Sequence, residues 1–134
     1  MRIFRVLPVF PGVFPFKATK ITSEIQISVI GLATSTSGRP GTFADALGHA
    51  IITTNAHTTS EPSAIDPNLL VDKKDGIWLL TFGSFYGGIY QLELDPVTGD
   101  KKPGARIIGP IAKRPDSGED ALEAPSLFQK GARK

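Results

Sequence analysis

A helix-breaking residue falls at about every fifth position: 14 glycines and 11 prolines stand among 134 residues, leaving no room for long helices. Between the breaks lie short apolar or β-branched runs, so the chain reads as all-β, short strands joined by tight turns. Ile27–Thr34 is a plausible strand, Ser35–Gly41 a turn-rich connection and Ala50–Thr54 a second, shorter strand. Asn68–Val71 and the apolar run Ile77–Phe82 flank an Asp-Gly turn at Asp72–Gly76, which is a hairpin signature. Ile89–Leu94 alternates, with Tyr90, Leu92 and Leu94 on one face and Gln91 and Glu93 on the other, and ends in the turn Asp95–Gly99. Arg106–Ile111 is a weaker fourth strand. Four short antiparallel strands in succession have the size of one propeller blade, closing near Lys113.

Composition narrows the function classes. Fifteen basic against 13 acidic residues leave a net charge of +2, with the surplus toward the ends (Arg2, Arg5, Lys17, Lys20, then Lys130, Arg133, Lys134), so solvated tails are expected and no nucleic acid partner. Absence of cysteine excludes disulfides, thiolate catalysis and Cys-ligated zinc while leaving the compartment open. No apolar run approaches the ~20 residues of a membrane span, and no membrane partner is expected. Residues 1–26 read differently from the rest, without an acid before Glu24. Pro8, Pro11 and Pro15 interrupt their hydrophobics and no small-residue cleavage site follows, so they make a poor signal peptide.

An internal repeat is visible when Ala64-Ile65-Asp66-Pro67 is set against Ala121-Leu122-Glu123-Ala124: Asp66 and Glu123 then coincide at a period of 57 residues. A period near that of known blade repeats places equivalent residues at one height around a common axis, so both acids are expected to face one cavity. Two converging carboxylates suit glycoside hydrolysis, in which one protonates the leaving oxygen. A turn-forming role for Asp66, which precedes Pro67, stands beside that reading.

The strings AIDPNLLVDKKDGIWLLTFGSFYGGIYQLELDPVTG and IAKRPDSGEDALEAPSLF resemble glycoside hydrolase family 43, its endo-1,5-α-L-arabinanases in particular. The resemblance begins near Ile27, includes IGLATSTSGRPGTF and ends at Gln129. It implies a five-bladed β-propeller, of which the chain supplies about one complete blade plus parts of two neighbours. On that basis 27–134 is a partial family 43 propeller domain and 1–26 an atypical segment, either a gene-model artefact or a poor signal peptide. It also implies hydrolysis of arabinan in pectin side chains by an inverting mechanism, outside the cell. Of the family's three carboxylates, Glu123 matches the general acid and Asp66 the residue that orients and tunes it. The general base has no counterpart: one period before Asp66 falls on Val9. The piece is therefore expected to be inactive alone, with a non-catalytic sugar-binding remnant or a xylan-active member as alternatives. Ser84 and Tyr86, in the stretch Phe82–Gly88, are expected to contact sugar, with tyrosine where the family usually has tryptophan. Phe82 and Phe85 fit blade packing equally well.

His49 and His57 lack metal-ligand spacing, and GSFYGG is not a dinucleotide-binding glycine pattern, so both histidines are expected on the surface, with no metal site and no cofactor.

Overall fold

The computed structural model describes residues 13–22, 25–56, 62–72, 74–83, 87–114 and 122–129. Its regular elements are eight strands: β1 (Val13–Thr22), β2 (Ile25–Thr34), β3 (Ala44–Asp45), β4 (Ile52–Ala56), β5 (Asn68–Val71), β6 (Trp78–Gly83), β7 (Ile89–Leu94) and β8 (Ile108–Ala112). The all-β expectation holds. β5 and β7 have the bounds read from sequence; β6 is displaced by one residue and β4 and β8 by one or two.

Two antiparallel four-stranded sheets result. In the first, β2 is central: β1 pairs along its whole length, and on its other side β3 meets Ala33 and Thr34 while β4 meets Gln26–Ile30. The second is a simple meander, β5-β6-β7-β8, and this is the complete blade. The sequence pattern does not announce β1, because Pro15 breaks it. A proline removes one ladder donor, which is tolerated on a strand with a single partner, and Pro15 lies opposite Leu32 in a strand that, among the described residues, pairs only with β2.

Turn chemistry explains why the blade is so legible. The Asp72 carboxylate accepts the amides of Lys74 (2.8 Å) and Asp75 (3.4 Å), and the Gly76 amide returns to the Asp72 carbonyl (2.8 Å). The β7–β8 connection repeats the device: Asp95 accepts from Val97 (2.7 Å) and Thr98 (3.3 Å), and Gly99 returns to the Asp95 carbonyl (2.7 Å). Both closing glycines have positive φ, 69° and 73°. An acid that satisfies its own turn followed by a residue free to turn left-handed fixes each hairpin register locally.

The sheets share one core. Ile30, Leu32, Ile51 and Ile52 from the first meet Leu69, Leu80, Phe82, Tyr90, Leu92 and Leu94 from the second. Tyr90, Leu92 and Leu94 are the buried face expected from alternation, and Phe82, fully buried and stacked on Tyr90 at 6.1 Å, belongs to packing. At the rim, Gly99 fits against Leu32 and Trp78 so closely that a Cβ would overlap the Leu32 side chain. Beside it His49 Nε2 meets Asp100 Oδ2 at 2.9 Å while Nδ1 meets the Leu47 carbonyl at 3.0 Å. His49 is exposed, as expected, but it also fastens one sheet to the other. His57 lies outside the described residues.

Candidate active site

Asp66 stands between β4 and β5 in a loop held from both sheets. The Ala64 amide is shared between Ser28 Oγ (3.0 Å) and Thr54 Oγ1 (2.8 Å), two hydroxyls 2.9 Å apart on the first sheet. One residue later the Ile65 carbonyl accepts the Gly83 amide from the end of β6 (3.1 Å). With the two residues before it fixed, Asp66 adopts φ 47°, a left-handed conformation few side chains tolerate and aspartate tolerates better than glutamate. Its side chain is half-buried.

Glu123 is exposed on the irregular segment 122–129 and is followed by Ala124 at φ 54°. That segment runs beside β5. The Leu127 amide donates to Asn68 Oδ1 (3.0 Å), and Gln129 Nε2 donates to Asp72 Oδ1 (2.9 Å). Both partner numbers rise together, so the segment and β5 run in the same sense. Asp66, two residues before Asn68, and Glu123, four before Leu127, therefore lie toward the same end of two neighbouring stretches. The Asp72 carboxyl lies below the usual carboxylate range, lowered by the Lys74 amide first and the Gln129 amide second.

The repeat needs one correction. Asp66 and Ala124 are the two non-glycine residues with positive φ among those described, and each precedes a proline, so the conformational period is 124 − 66 = 58. The period of 57 matches acid to acid; the backbone matches Asp66 to Ala124 and Ile65 to Glu123. One period before Asp66 then falls on Pro8, again not an acid.

Ser84, Phe85 and Tyr86 lie outside the described residues. The ends of their stretch are described: a Cβ on Gly83 would come 2.5 Å from the Gly88 carbonyl oxygen, an approach only glycine permits. Gly83 and Gly88 thus lie close together at the adjoining ends of β6 and β7. Among the described residues no group of three His, Cys, Asp or Glu side chains could hold a metal ion. Sequence reading misses Asn68, whose only signal is its place directly after Asp66-Pro67.

Two packed antiparallel sheets, one a complete four-stranded meander, with the next repeat beginning alongside its first strand, define part of a β-propeller. No protein-family model matches the chain. It is 44% identical over 105 residues to extracellular endo-alpha-(1->5)-L-arabinanase 1 of Bacillus subtilis (strain 168), covering 78% of this chain and 30% of that protein. To arabinan endo-1,5-alpha-L-arabinosidase A of Aspergillus niger it is 36% identical over 106 residues, covering 79% and 30%. Among solved structures, the GH43 endo-arabinanase from Bacillus licheniformis superposes with a TM-score of 0.72 at 29% identity, over 96% of this chain and 41% of that one. The native Bacillus subtilis arabinanase gives 0.67 at 32% identity, over 94% and 40%. The chain is thus similar to arabinanases of glycoside hydrolase family 43 over part of their length and shares the β-propeller fold of that part. It spans 30% of the length of those two curated relatives.

Proposed function

We propose that the protein is an extracellular glycoside hydrolase that cleaves α-1,5-L-arabinofuranosidic linkages in the arabinan side chains of pectin, with inversion. The carrying observation is the same-sense alignment of segment 122–129 with β5, which sets Glu123 and Asp66 toward one end of neighbouring stretches. Names of similar proteins agree: they are arabinanases, one called extracellular.

In this reading Glu123 gives its proton to the glycosidic oxygen as the bond to the anomeric carbon breaks, so that the leaving group departs as an alcohol. Water attacks the opposite face, and a carboxylate base ~6.5–9.5 Å from the acid takes its proton. Asp66 orients and tunes Glu123. Ser84 and Tyr86 contact the sugar, the ring by stacking on its C–H face. The base is a third carboxylate for which this sequence offers no counterpart, so the 134 residues alone are proposed to be inactive.

The test is Glu123→Gln in the complete protein that carries these blades. Turnover of arabinan should fall roughly 10²-fold or more, because the leaving alkoxide loses its proton donor. Substrates with a good leaving group should be hydrolysed far less poorly. Arabinan hydrolysis equal to that of the unaltered protein would refute the assignment.

A further inference from the structure

We infer that Asn68 is a positioning residue for Glu123: its side-chain oxygen, through the Leu127 amide, fixes where the Glu123 segment stands relative to Asp66. The inference rests on the glycosidase reading and adds to it a residue that touches neither substrate nor proton.

Among the described residues, two hydrogen bonds join segment 122–129 to β5 and its turn, and neither belongs to a backbone ladder. They are unequal. Gln129 and Asp72 meet in an exposed setting where water competes for both partners, whereas the Asn68 to Leu127 bond is partly buried. The orientation of the Asn68 amide follows from its partner, since a backbone N–H can be met only by the side-chain oxygen. Asn68 is itself held in β5, opposite Thr81 of β6.

The links from this bond to the two carboxylates are short and stiff. On one side, Pro67 alone separates Asn68 from Asp66, and proline has a fixed φ. On the other, Ala124, Pro125 and Ser126 stand between Glu123 and Leu127, and two of the three are restricted, Ala124 left-handed and Pro125 with a fixed φ, so fewer torsions remain to absorb a shift. Displacement at Leu127 is therefore carried to Glu123. At the corrected period Ser126 is the counterpart of Asn68, and its side chain is shorter. Asparagine occupies the position from which a neighbouring segment must be reached.

Loss of the acceptor should leave substrate binding largely intact and misplace the proton donor. In the complete protein, Asn68→Leu keeps the branched side-chain shape and removes the acceptor, Asn68→Asp keeps an acceptor, and Asn68→Ser is a milder deletion should the variant with the bulkier leucine fold poorly. For Asn68→Leu, kcat on arabinan should drop roughly 10²-fold with KM within about threefold, and the drop should be much smaller on an aryl arabinofuranoside whose leaving group needs no proton. Asn68→Asp should retain most of the activity. Hydrogen exchange at the Leu127 amide should accelerate at least about tenfold in the leucine and serine variants and stay unchanged in the aspartate variant. Unchanged exchange in the leucine and serine variants would overturn the inference, as would an equal loss on both substrates. Failure of the unaltered protein to cleave arabinan would instead count against the glycosidase reading, and the exchange rates would still decide whether Asn68 holds the segment.

Discussion

Asp66 and Ala124 share a left-handed backbone, φ 47° and 54°, each one residue before a proline and 58 residues apart. Left-handed torsions in a residue with a Cβ cost about 1–2 kcal/mol, and such strain persists where surrounding contacts over-determine the chain. Here the nearby fixed residues are Ala64 and Ile65, just before Asp66, and Leu127, three residues after Ala124.

Ala124 carries no side-chain function that glycine would lose, so it isolates the strain. Ala124→Gly should raise stability by up to about 1 kcal/mol, relief of the left-handed torsion outweighing the added freedom of the unfolded chain. Ala124→Val should lower it by about 1–2 kcal/mol, since a β-branched residue fits that region worst. Urea unfolding of the complete protein measures both. A glycine variant less stable than the parent would show that the conformation is not strained.

Asp66 combines the torsion with a charge, and two substitutions separate them. Asparagine at this position keeps the tolerance of positive φ, so Asp66→Asn should unfold within about 2 °C of the parent yet turn over arabinan roughly 10²-fold more slowly. Asp66→Val should damage stability as well as rate. Full activity in the asparagine variant would remove Asp66 from the site and leave the turn-forming role.

His49 and Asp100 join the two sheets through an exposed pair whose contribution depends on pH. The Asp100 hydrogen bond and charge raise the His49 pKa above 6.5, so its stabilisation is complete below 6.5 and disappears as pH rises through the higher folded value. Asp100 is held below 3.8, first by the Lys101 amide and then by His49, so its contribution is present above 3.8 and lost as pH falls through the folded value. Both operate together between pH 3.8 and 6.5. The melting-temperature difference between the parent and His49→Gln should be greatest there and shrink above it; a difference independent of pH would mean that the pair does not couple the sheets.

The parts legible in the sequence are those whose determinants are local. Asp72 and Asp95 bond their own turns, and with Gly76 and Gly99 they mark the ends of β5 and β7 without help from distant residues. Alternation through Tyr90, Leu92 and Leu94 likewise needs only a strand and a core. β1 is hidden because Pro15 is acceptable only once the strand is known to have a single partner. Matching the acids by chemistry misjudges the period by one, whereas the prolines and the left-handed torsions before them set the conformational register. Contacts such as Asn68 with Leu127 and His49 with Asp100 join residues more than 50 positions apart and have no sequence periodicity to announce them.

The 134-residue chain expressed by itself should associate. Ile108 is 63% exposed, Ile111 45% and Phe128 83%, which leaves apolar surface open on the outer strand and on the segment beside β5. Among the described residues β8 pairs only with β7, which leaves its second edge without a strand partner there. Pro110 in the middle of β8 has no N–H to donate, and the exposed apolar side chains are the surface through which association should proceed. The chain should therefore sediment as concentration-dependent oligomers, and Ile108→Lys with Ile111→Lys should shift it toward monomer. It should also release no reducing sugar from debranched arabinan, for want of a base to activate water. A cooperative unfolding transition of a monomer would overturn the first expectation, and hydrolysis abolished by Glu123→Gln would overturn the second by locating a base within these residues.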